Sequence, residues 1–246
     1  MTDDNSEEKN ELSRIQTEYL RRDSAGLNRG FSYTNPAFVY HIQEREWAIL
    51  SLLRKEGINI DNLEVLEVGC GTGHILERFR EFGAQKVIGI DLMEHRIRAG
   101  ATQYSGVLLT VGSGTALPYP DGSFSLVTQF MCLSSILDQN TRSLVAKEML
   151  RVLKPGGIIL SYDMRTTPAF MRLLSTFRSQ PGITPTRPLD PKELQDLFGD
   201  GRMIIKTISL NFKLAAIADK SHFLAFIIGL FPWLRTHYLV LIHKQP

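Results

Sequence analysis

The feature that most constrains the fold is a glycine-rich turn between a short apolar run and a helical pattern. Residues 66–79 read LEVGCGTGHILERF, with Gly69, Gly71 and Gly73 at alternate positions. Glycine adopts positive φ readily and has no Cβ to hold a ligand away from the backbone. In an open α/β sheet, ligands bind beyond the carboxyl ends of the strands. The turn therefore predicts a strand, a ligand-binding loop and a helix, in that order.

Strands and helices alternate along the rest of the chain. The pattern predicts strands over 63–68, 86–90, 107–111, 123–130, 157–163, 203–210 and 238–243. It predicts helices over 37–55, 75–82, 93–104, 141–153, 168–177, 191–198 and 213–230. Such alternation favours an α/β fold with a mainly parallel sheet covered on both faces.

Composition excludes several classes of function. The net charge is +2, and no run of Lys or Arg alternates with aromatic residues, which argues against a nucleic-acid partner. Cys70 and Cys132 are the two cysteines, and they form neither a metal-ligand spacing nor a disulfide framework, so no metal site is predicted. The polar start, MTDDNSEEKNE, does not resemble a signal peptide. We therefore expect a reducing, cytoplasmic location.

An acidic residue at the end of the second predicted strand limits the classes of ligand that can bind. Asp91 stands 18 residues after Gly73, where a carboxylate can accept both hydroxyls of a ribose. His74 occupies the place of the third glycine of a dinucleotide fingerprint, and no G-x-x-x-x-G-K-[ST] phosphate loop is present. Glu67 would repel a pyrophosphate and attract an ammonium or sulfonium group. S-adenosylmethionine carries both cations and no phosphate.

Four segments carry a family resemblance. In chain order they are VLEVGCGTG, VIGIDLM, LPYPDGSFSLV and LKPGG. Together they resemble the class I S-adenosylmethionine-dependent methyltransferases that act on small molecules, over about residues 63–163. The resemblance implies an enzyme with a Rossmann-like, seven-stranded, mainly parallel sheet, helices on both faces and an antiparallel last strand. It also implies S-adenosyl-L-methionine as cofactor.

The same resemblance assigns the cofactor site. In this family the glycine turn passes along the methionine part of the cofactor, and the acid after the second strand holds the ribose. The predicted cofactor-binding residues are Glu67, Gly69, Cys70, Gly71, Gly73, Asp91, Leu92, Ser113, Gly114, Thr115 and Gln129. Ser113 departs from the family, which usually places an acid there to meet the adenine amino group. Gln129 is expected at the amino-acid end of the cofactor.

Methyl transfer to oxygen can require a base near the methyl group. Asp163, in the sequence SYDMR, and His41, in the N-terminal helix, are the candidate catalytic residues. Each has a structural alternative. Asp163 can cap the next turn or pair with Arg165, and a single histidine on a mixed helix is more often structural.

The predicted organisation has three parts. Residues 1–12 are expected to form a disordered acidic tail and 13–60 a helical cap, whose helix would bury Phe38, Trp47 and Leu53. Residues 61–246 would form the methyltransferase domain, with acceptor-pocket insertions around 166–189 and 213–234. The second insertion contains FLAFIIGLFPWL, which predicts a packed helix or, alternatively, a contact with a lipid-like acceptor or a membrane surface.

The leading hypothesis is biosynthetic methyl transfer to a small-molecule acceptor, at oxygen: a sugar, a natural product or a lipid-like intermediate. Two alternatives stay open. One is a non-catalytic, S-adenosylmethionine-binding regulatory protein, which Ser113 and the lack of an evident base allow. The other is a nicotinamide-dependent oxidoreductase.

Overall fold

A seven-stranded sheet forms the centre of the molecule in the computed structural model, which describes residues 2–26, 32–166, 184–199 and 201–245. The strands are β1 Glu64–Val68, β2 Lys86–Asp91, β3 Leu108–Val111, β4 Phe124–Phe130, β5 Leu153–Met164, β6 Met203–Leu210 and β7 Arg235–His243. Their order is β3-β2-β1-β4-β5-β7-β6. Only β7 runs antiparallel, to both β5 and β6. The predicted fold class is confirmed.

Helices cover both faces of this sheet. They are α1 Thr2–Ser24, α2 Pro36–Lys55, α3 His74–Glu81, α4 Glu94–Gln103, α5 Gln139–Val152, α6 Pro191–Phe198, α7 Phe212–Ala215 and α8 His222–Gly229. None of the helices in the described ranges combines the length and apolar character needed to cross a bilayer. The helix predicted over 168–177 lies outside the described residues.

The core follows from the alternation of side chains along each strand. Val65 packs in a cluster with Leu52 of α2 and Phe79 of α3. Its neighbour Leu66 packs in a second cluster with Met149 of α5 on the opposite face. Successive strand residues point to opposite faces, so near-continuous apolar strands require helices on both sides.

The strand register places several carboxyl ends at one edge of the sheet. Val68 of β1 is level with Ile90 of β2, and Glu67 is level with Thr128 of β4. The chain order reverses between β1 and β4, which is the place where open α/β sheets bind ligands. The glycine turn after β1 therefore opens into this crevice.

The N-terminal segment differs from its prediction. Residues 1–12 were expected to be disordered, but α1 spans Thr2–Ser24. Ile15 is buried in the core. The Glu11 carboxylate accepts the backbone N–H of Leu137 at 2.5 Å, and Arg14 donates to the Ser135 carbonyl at 2.8 Å. These partners lie more than a hundred residues away, so the local acidic composition gave no sign of them.

Two helix predictions also change in detail. Trp47 was expected in the buried face of α2, but 74% of it is exposed, and Ile49 and Leu52 are buried instead. The single helix predicted over 213–230 is interrupted by a 3-10 turn over Ala216–Asp219. It restarts at α8 because Ser221 caps the new helix by accepting the N–H of Leu224 at 3.1 Å.

The docking of α1 gives a testable prediction. Glu11→Ala should lower the free energy of unfolding by about 1–3 kcal/mol, because the partly buried N–H of Leu137 loses its acceptor. Urea denaturation measures the change. Glu7→Ala, an exposed position on the same helix, is the matched control and should stay within about 0.5 kcal/mol of the parent. Equal stability of all three proteins would contradict a docked α1.

Candidate functional site

A cavity of about 700 Å³ opens at the carboxyl edge of β1, β2 and β4. Its size is that of a small-molecule site. Its walls come from α1, α2, the glycine turn and the loops after β2, β3 and β4. Of the predicted cofactor residues, the wall includes Glu67, Gly69, Cys70, Gly71, Asp91, Leu92, Ser113 and Gly114. The structure brings these eight together around one space.

The glycine turn has the positive φ angles that its glycine spacing predicts. Gly69 has φ +74° and Gly71 has φ +56°, a region that residues with a Cβ rarely adopt. A Cβ on Gly69 would lie 2.8 Å from the sulfur of Cys132, whereas a Cβ on Gly71 would meet nothing within 4 Å. The backbone at Gly71 therefore faces open cavity, where a ligand can approach it closely. Gly73 lies outside the wall, at the start of α3.

Asp91 ties the turn to the second strand. Its carboxylate accepts the N–H of Gly71 at 2.8 Å and the N–H of Met93 at 2.8 Å. Burial raises the pKa of Asp91, and the two backbone donors oppose that rise. A carboxylate has about four acceptor positions. Two therefore stay available for hydroxyl groups of a ligand in the cavity.

Glu67 places a second carboxyl group in the wall. It is 1% exposed, and burial raises its pKa well above the usual value for glutamate. Its Oε2 atom has no hydrogen-bond partner within the described residues. A buried carboxylate without a partner is costly unless a cation or a hydrogen-bond donor joins it. A cationic group of a ligand would therefore satisfy the Glu67 carboxyl group.

Arg45 supplies the opposite charge, and sequence reasoning missed it. It comes from α2 and lines the cavity, with its guanidinium carbon 5.4 Å from the ring centres of Phe130 and Tyr162. Burial lowers its pKa. Its Nε and Nη2 atoms have no hydrogen-bond partner in the part of the chain that the structure describes. Its spacing from Phe38 and Ile42, which share the wall, is the helical signal that could have identified it.

The opposite end of the cavity is closed by polar groups. Ser113 lines the wall, and its hydroxyl lies 2.7 Å from that of Thr115, which is itself outside the wall. Arg96 and His95 also line it, and the Asp23 carboxylate of α1 binds both, at 2.6 Å and 2.7 Å. Helix α1, whose residues 13–24 fall within the predicted helical cap, is therefore part of the rim.

Two predicted site residues prove to have structural roles. Asp163 is 2% exposed, and its carboxylate accepts the N–H groups of Ser134 at 3.0 Å and Met164 at 2.8 Å. Gln129 is fully buried and accepts the N–H of Cys132 at 2.9 Å. Neither lines the cavity. Both predictions are corrected for one reason: the N–H groups of the turn after β4 are buried and need acceptors.

The prediction that His41 is a catalytic residue is also corrected. It lies outside the cavity wall, and burial lowers its pKa to about 4. Nearby, the rings of Tyr162 and His237 stack with centres 4.7 Å apart, and burial lowers the pKa of His237 to about 3. His74 lines the cavity, as His95 does, and its Nε2 lies 2.9 Å from the Tyr33 hydroxyl. Burial lowers its pKa to about 4, so it is neutral at pH 7.

The remaining wall is apolar. Its side chains come from α1, α2 and the segment after β4, and they are Leu12, Ile15, Phe38, Ile42, Phe130, Met131 and Ile136. Met131 has φ +62°, an uncommon conformation for a residue with a Cβ. The cavity thus joins a polar region, suited to an adenosine compound with a charged end, to an apolar region that can take a second molecule.

Comparison with known proteins gives a consistent picture. The family model described as a methyltransferase domain matches residues 65–157. A protein of Mycolicibacterium smegmatis named "probable S-adenosylmethionine-dependent methyltransferase" is 34% identical over 97 residues, 39% of this chain and 36% of that protein. The demethylmenaquinone methyltransferase of Shouchella clausii is 35% identical, over 44% of this chain and 48% of its own.

A third relative has a similar name. The ubiquinone/menaquinone biosynthesis C-methyltransferase of Geobacter sulfurreducens is 32% identical over 46% of this chain and 47% of its own. The chain therefore spans less than half the length of these three relatives. A solved S-adenosylmethionine-dependent methyltransferase from Thermotoga maritima covers 92% of this chain, and 98% of its own, with a TM-score of 0.63. At 16% identity, that likeness shows the fold alone.

The buried histidines give a prediction on pH. When the chain unfolds, the pKa of His237 returns from about 3 to its usual 6.5. Its contribution to stability is therefore present above pH 6.5 and is lost as the pH falls towards 3. Replacing it by His237→Phe keeps the aromatic stack and removes the titration. Between about pH 6 and pH 4, the variant's free energy of unfolding should fall less steeply, by about 1.4 kcal/mol per pH unit.

Urea denaturation at several pH values measures both slopes. Groups such as Asp163, whose pKa burial raises, change stability in the opposite direction in both proteins and cancel in the difference. Parallel curves for parent and variant would show that His237 titrates normally in the folded protein.

Proposed function

We propose that this chain, which belongs to the class I S-adenosylmethionine-dependent methyltransferases, transfers the methyl group of that cofactor to a small apolar acceptor bound in the same cavity. The single observation that carries the proposal is the pair of buried groups on the wall, Glu67 and Arg45. They attract each other, but Oε2 of Glu67 and Nε and Nη2 of Arg45 have no hydrogen-bond partner among the described residues. A ligand with a positive and a negative group at one end satisfies both.

The residues fit S-adenosylmethionine from end to end. The Asp91 carboxylate would accept the ribose hydroxyls, since it keeps acceptor positions beyond those used by Gly71 and Met93. The Ser113 hydroxyl would face the adenine, and the bare backbone of Gly71 would lie along the methionine part. The ammonium group would pair with Glu67 and the carboxylate with Arg45. When bound, the cofactor supplies a methyl group already activated by its sulfonium.

The same wall argues against a nicotinamide dinucleotide. A pyrophosphate beside Glu67 would bring negative charge to a buried carboxyl group, and the cost of such a contact is high away from water. Arg45 alone would not offset it. The oxidoreductase alternative is therefore disfavoured by the electrostatics of the turn.

The apolar wall indicates the kind of acceptor. Phe130, Met131 and Ile42 offer contacts to a ring or an alkyl chain, with no carboxylate among them to act as base. Neutral His74 could accept a proton, but its Nε2 atom already lies within hydrogen-bond distance of the Tyr33 hydroxyl. An acceptor whose own hydroxyl is acidic, such as a phenol or a hydroquinone, needs little help from a base. The protein's main task is then alignment and exclusion of water.

We place the transfer at the acceptor oxygen, and one observation favours ring carbon as a second candidate. Two of the relatives are named for quinone or menaquinone methylation, one of them as a C-methyltransferase. An ionised phenol is nucleophilic at oxygen and at the neighbouring ring carbons, so both outcomes share the acceptor class.

The charge pair can be tested with two ligands that differ only at the amino-acid end. Arg45→Gln should weaken binding of S-adenosylhomocysteine by roughly 10- to 100-fold, because a charge-assisted hydrogen bond is lost. It should leave 5′-methylthioadenosine, which has no amino acid, unchanged. Asp91→Asn should weaken both ligands, since both carry the ribose. Isothermal titration calorimetry measures the affinities of the parent and both variants for each ligand, and melting temperatures confirm folding.

Equal losses for both ligands in Arg45→Gln would contradict its assignment to the carboxylate. Unchanged affinity in both variants would place the cofactor elsewhere. Tight binding with no methyl transfer to any acceptor would instead support the regulatory alternative.

The acceptor class has its own test. With methyl-labelled cofactor and a series of phenols and hydroquinones of graded acidity, the rate should rise with pH up to the pKa of each acceptor. NMR of the product distinguishes a methoxy group from a ring methyl group. A common pH profile for all acceptors would contradict this proposal and indicate a base on the protein.

A further inference from the structure

The outer face of α8 and the turn after it is apolar, which is the reverse of an ordinary surface helix. The exposed side chains, defined here as the α8 surface, are Phe223, Leu224, Phe226, Leu230, Phe231 and Trp233. Phe223 is 73% exposed and Trp233 47%. The buried positions of the same helix are the small residues Ala225 and Gly229. In the part of the chain that the structure describes, no residue shields these six from solvent.

This surface is held in a defined conformation. Ser221 caps the start of α8, and Arg235 donates through Nε to the carbonyl of Gly229 at 2.6 Å. Arg165 donates to the carbonyl of Pro232 at 2.9 Å. On the inner side, Ala225 packs in a cluster with Ala37 of α2. These contacts therefore hold the exposed side chains in a fixed arrangement on the folded chain.

Basic residues outnumber acidic ones next to the α8 surface. Lys220 adjoins the helix, and Arg235 and Arg165 donate to the carbonyls of Gly229 and Pro232. The acidic residues nearby are Asp219 and Glu44, the latter within electrostatic reach of Arg235. Lys220 directly precedes the helix cap and is exposed, and Arg235 follows the turn. An apolar face with Phe, Leu and Trp side chains, flanked by basic residues, is the chemistry of an interfacial membrane contact.

We propose that the α8 surface docks this protein onto an anionic lipid bilayer, with the phenylalanine and tryptophan side chains at the level of the head groups. A second copy of the chain is a poorer occupant. A twofold dimer places the same patch of both copies together, so the net positive charge of one patch would face that of the other. Anionic lipid supplies negative charge to this net basic patch.

The surface lies behind one wall of the cavity. Tyr40 of α2 contacts α8, with its ring centre 6.3 Å from that of His222. Phe38 and Ile42 of the same helix line the cavity. Docking would therefore hold the cavity close to the membrane. The binding itself needs no cofactor and can be tested independently of methyl transfer.

The two tryptophans make a matched pair of reporters. Trp47→Phe leaves Trp233 as the only tryptophan, and Trp233→Phe leaves Trp47, which is 74% exposed on α2. With vesicles of phosphatidylglycerol and brominated phosphatidylcholine, the fluorescence of Trp233 should be quenched and that of Trp47 should not. Binding should weaken when salt is raised or when phosphatidylglycerol is left out.

Phe226→Asp, at a position 58% exposed, should reduce vesicle binding about tenfold or more, since an aromatic group that would enter the bilayer is replaced by a charge. Leu108→Asp is the control. It is 57% exposed on β3, at the opposite edge of the sheet, and should bind like the parent. Absence of vesicle binding, or equal quenching of both tryptophans, would overturn the proposal. So would a dimer that buries Trp233 without lipid, detected by sedimentation.

Discussion

The hydrogen bond from the N–H of Gly71 to the Asp91 carboxylate, 2.8 Å long, is the contact on which the site depends. It fixes a turn whose glycines have left-handed backbones to the end of the neighbouring strand. The N–H groups of Gly69 and Cys70 also donate to the Ile90 carbonyl, so the turn is held to β2 at three points. The same carboxylate keeps free acceptor positions towards the cavity. One residue thus shapes the site and offers it a binding group.

Two buried polar groups decide the energetic character of the cavity. A carboxyl group and a guanidinium group are both buried in its wall, and each has polar atoms without partners. Such groups are costly in a protein interior. Proteins retain costs of this kind where function requires them, and a ligand that satisfies the groups stabilises the folded state. The phosphate-free, zwitterionic adenosine compound proposed here is such a ligand. The α8 surface is a second feature that the stability of the folded chain does not explain.

The sequence predicted the strands and most of the helices well, including the helix over 191–198 and the strand over 203–210, but it predicted the N-terminal segment and several site residues poorly. Between 63 and 163 the strands, the glycine turn and Asp91 are set by local patterns: apolar runs, glycine spacing and an acid at a strand end. Long-range contacts explain the failures. Glu11 and Ile15 make an acidic segment helical through partners across the chain. Asp163 and Gln129 lie at the predicted edge of the sheet, but the N–H groups of a neighbouring turn bind them. Arg45 carries no motif, and its helical spacing from Phe38 was its only sign.

The measurement that tests this account most directly is calorimetric titration of the full chain with S-adenosylhomocysteine and, separately, with NADH. The account predicts heat of binding with S-adenosylhomocysteine, because its ammonium group pairs with the buried carboxyl group of Glu67. Glu67→Gln should weaken that binding, and NADH should give no heat of binding. Heat with NADH and none with S-adenosylhomocysteine, on folded protein, would contradict the account.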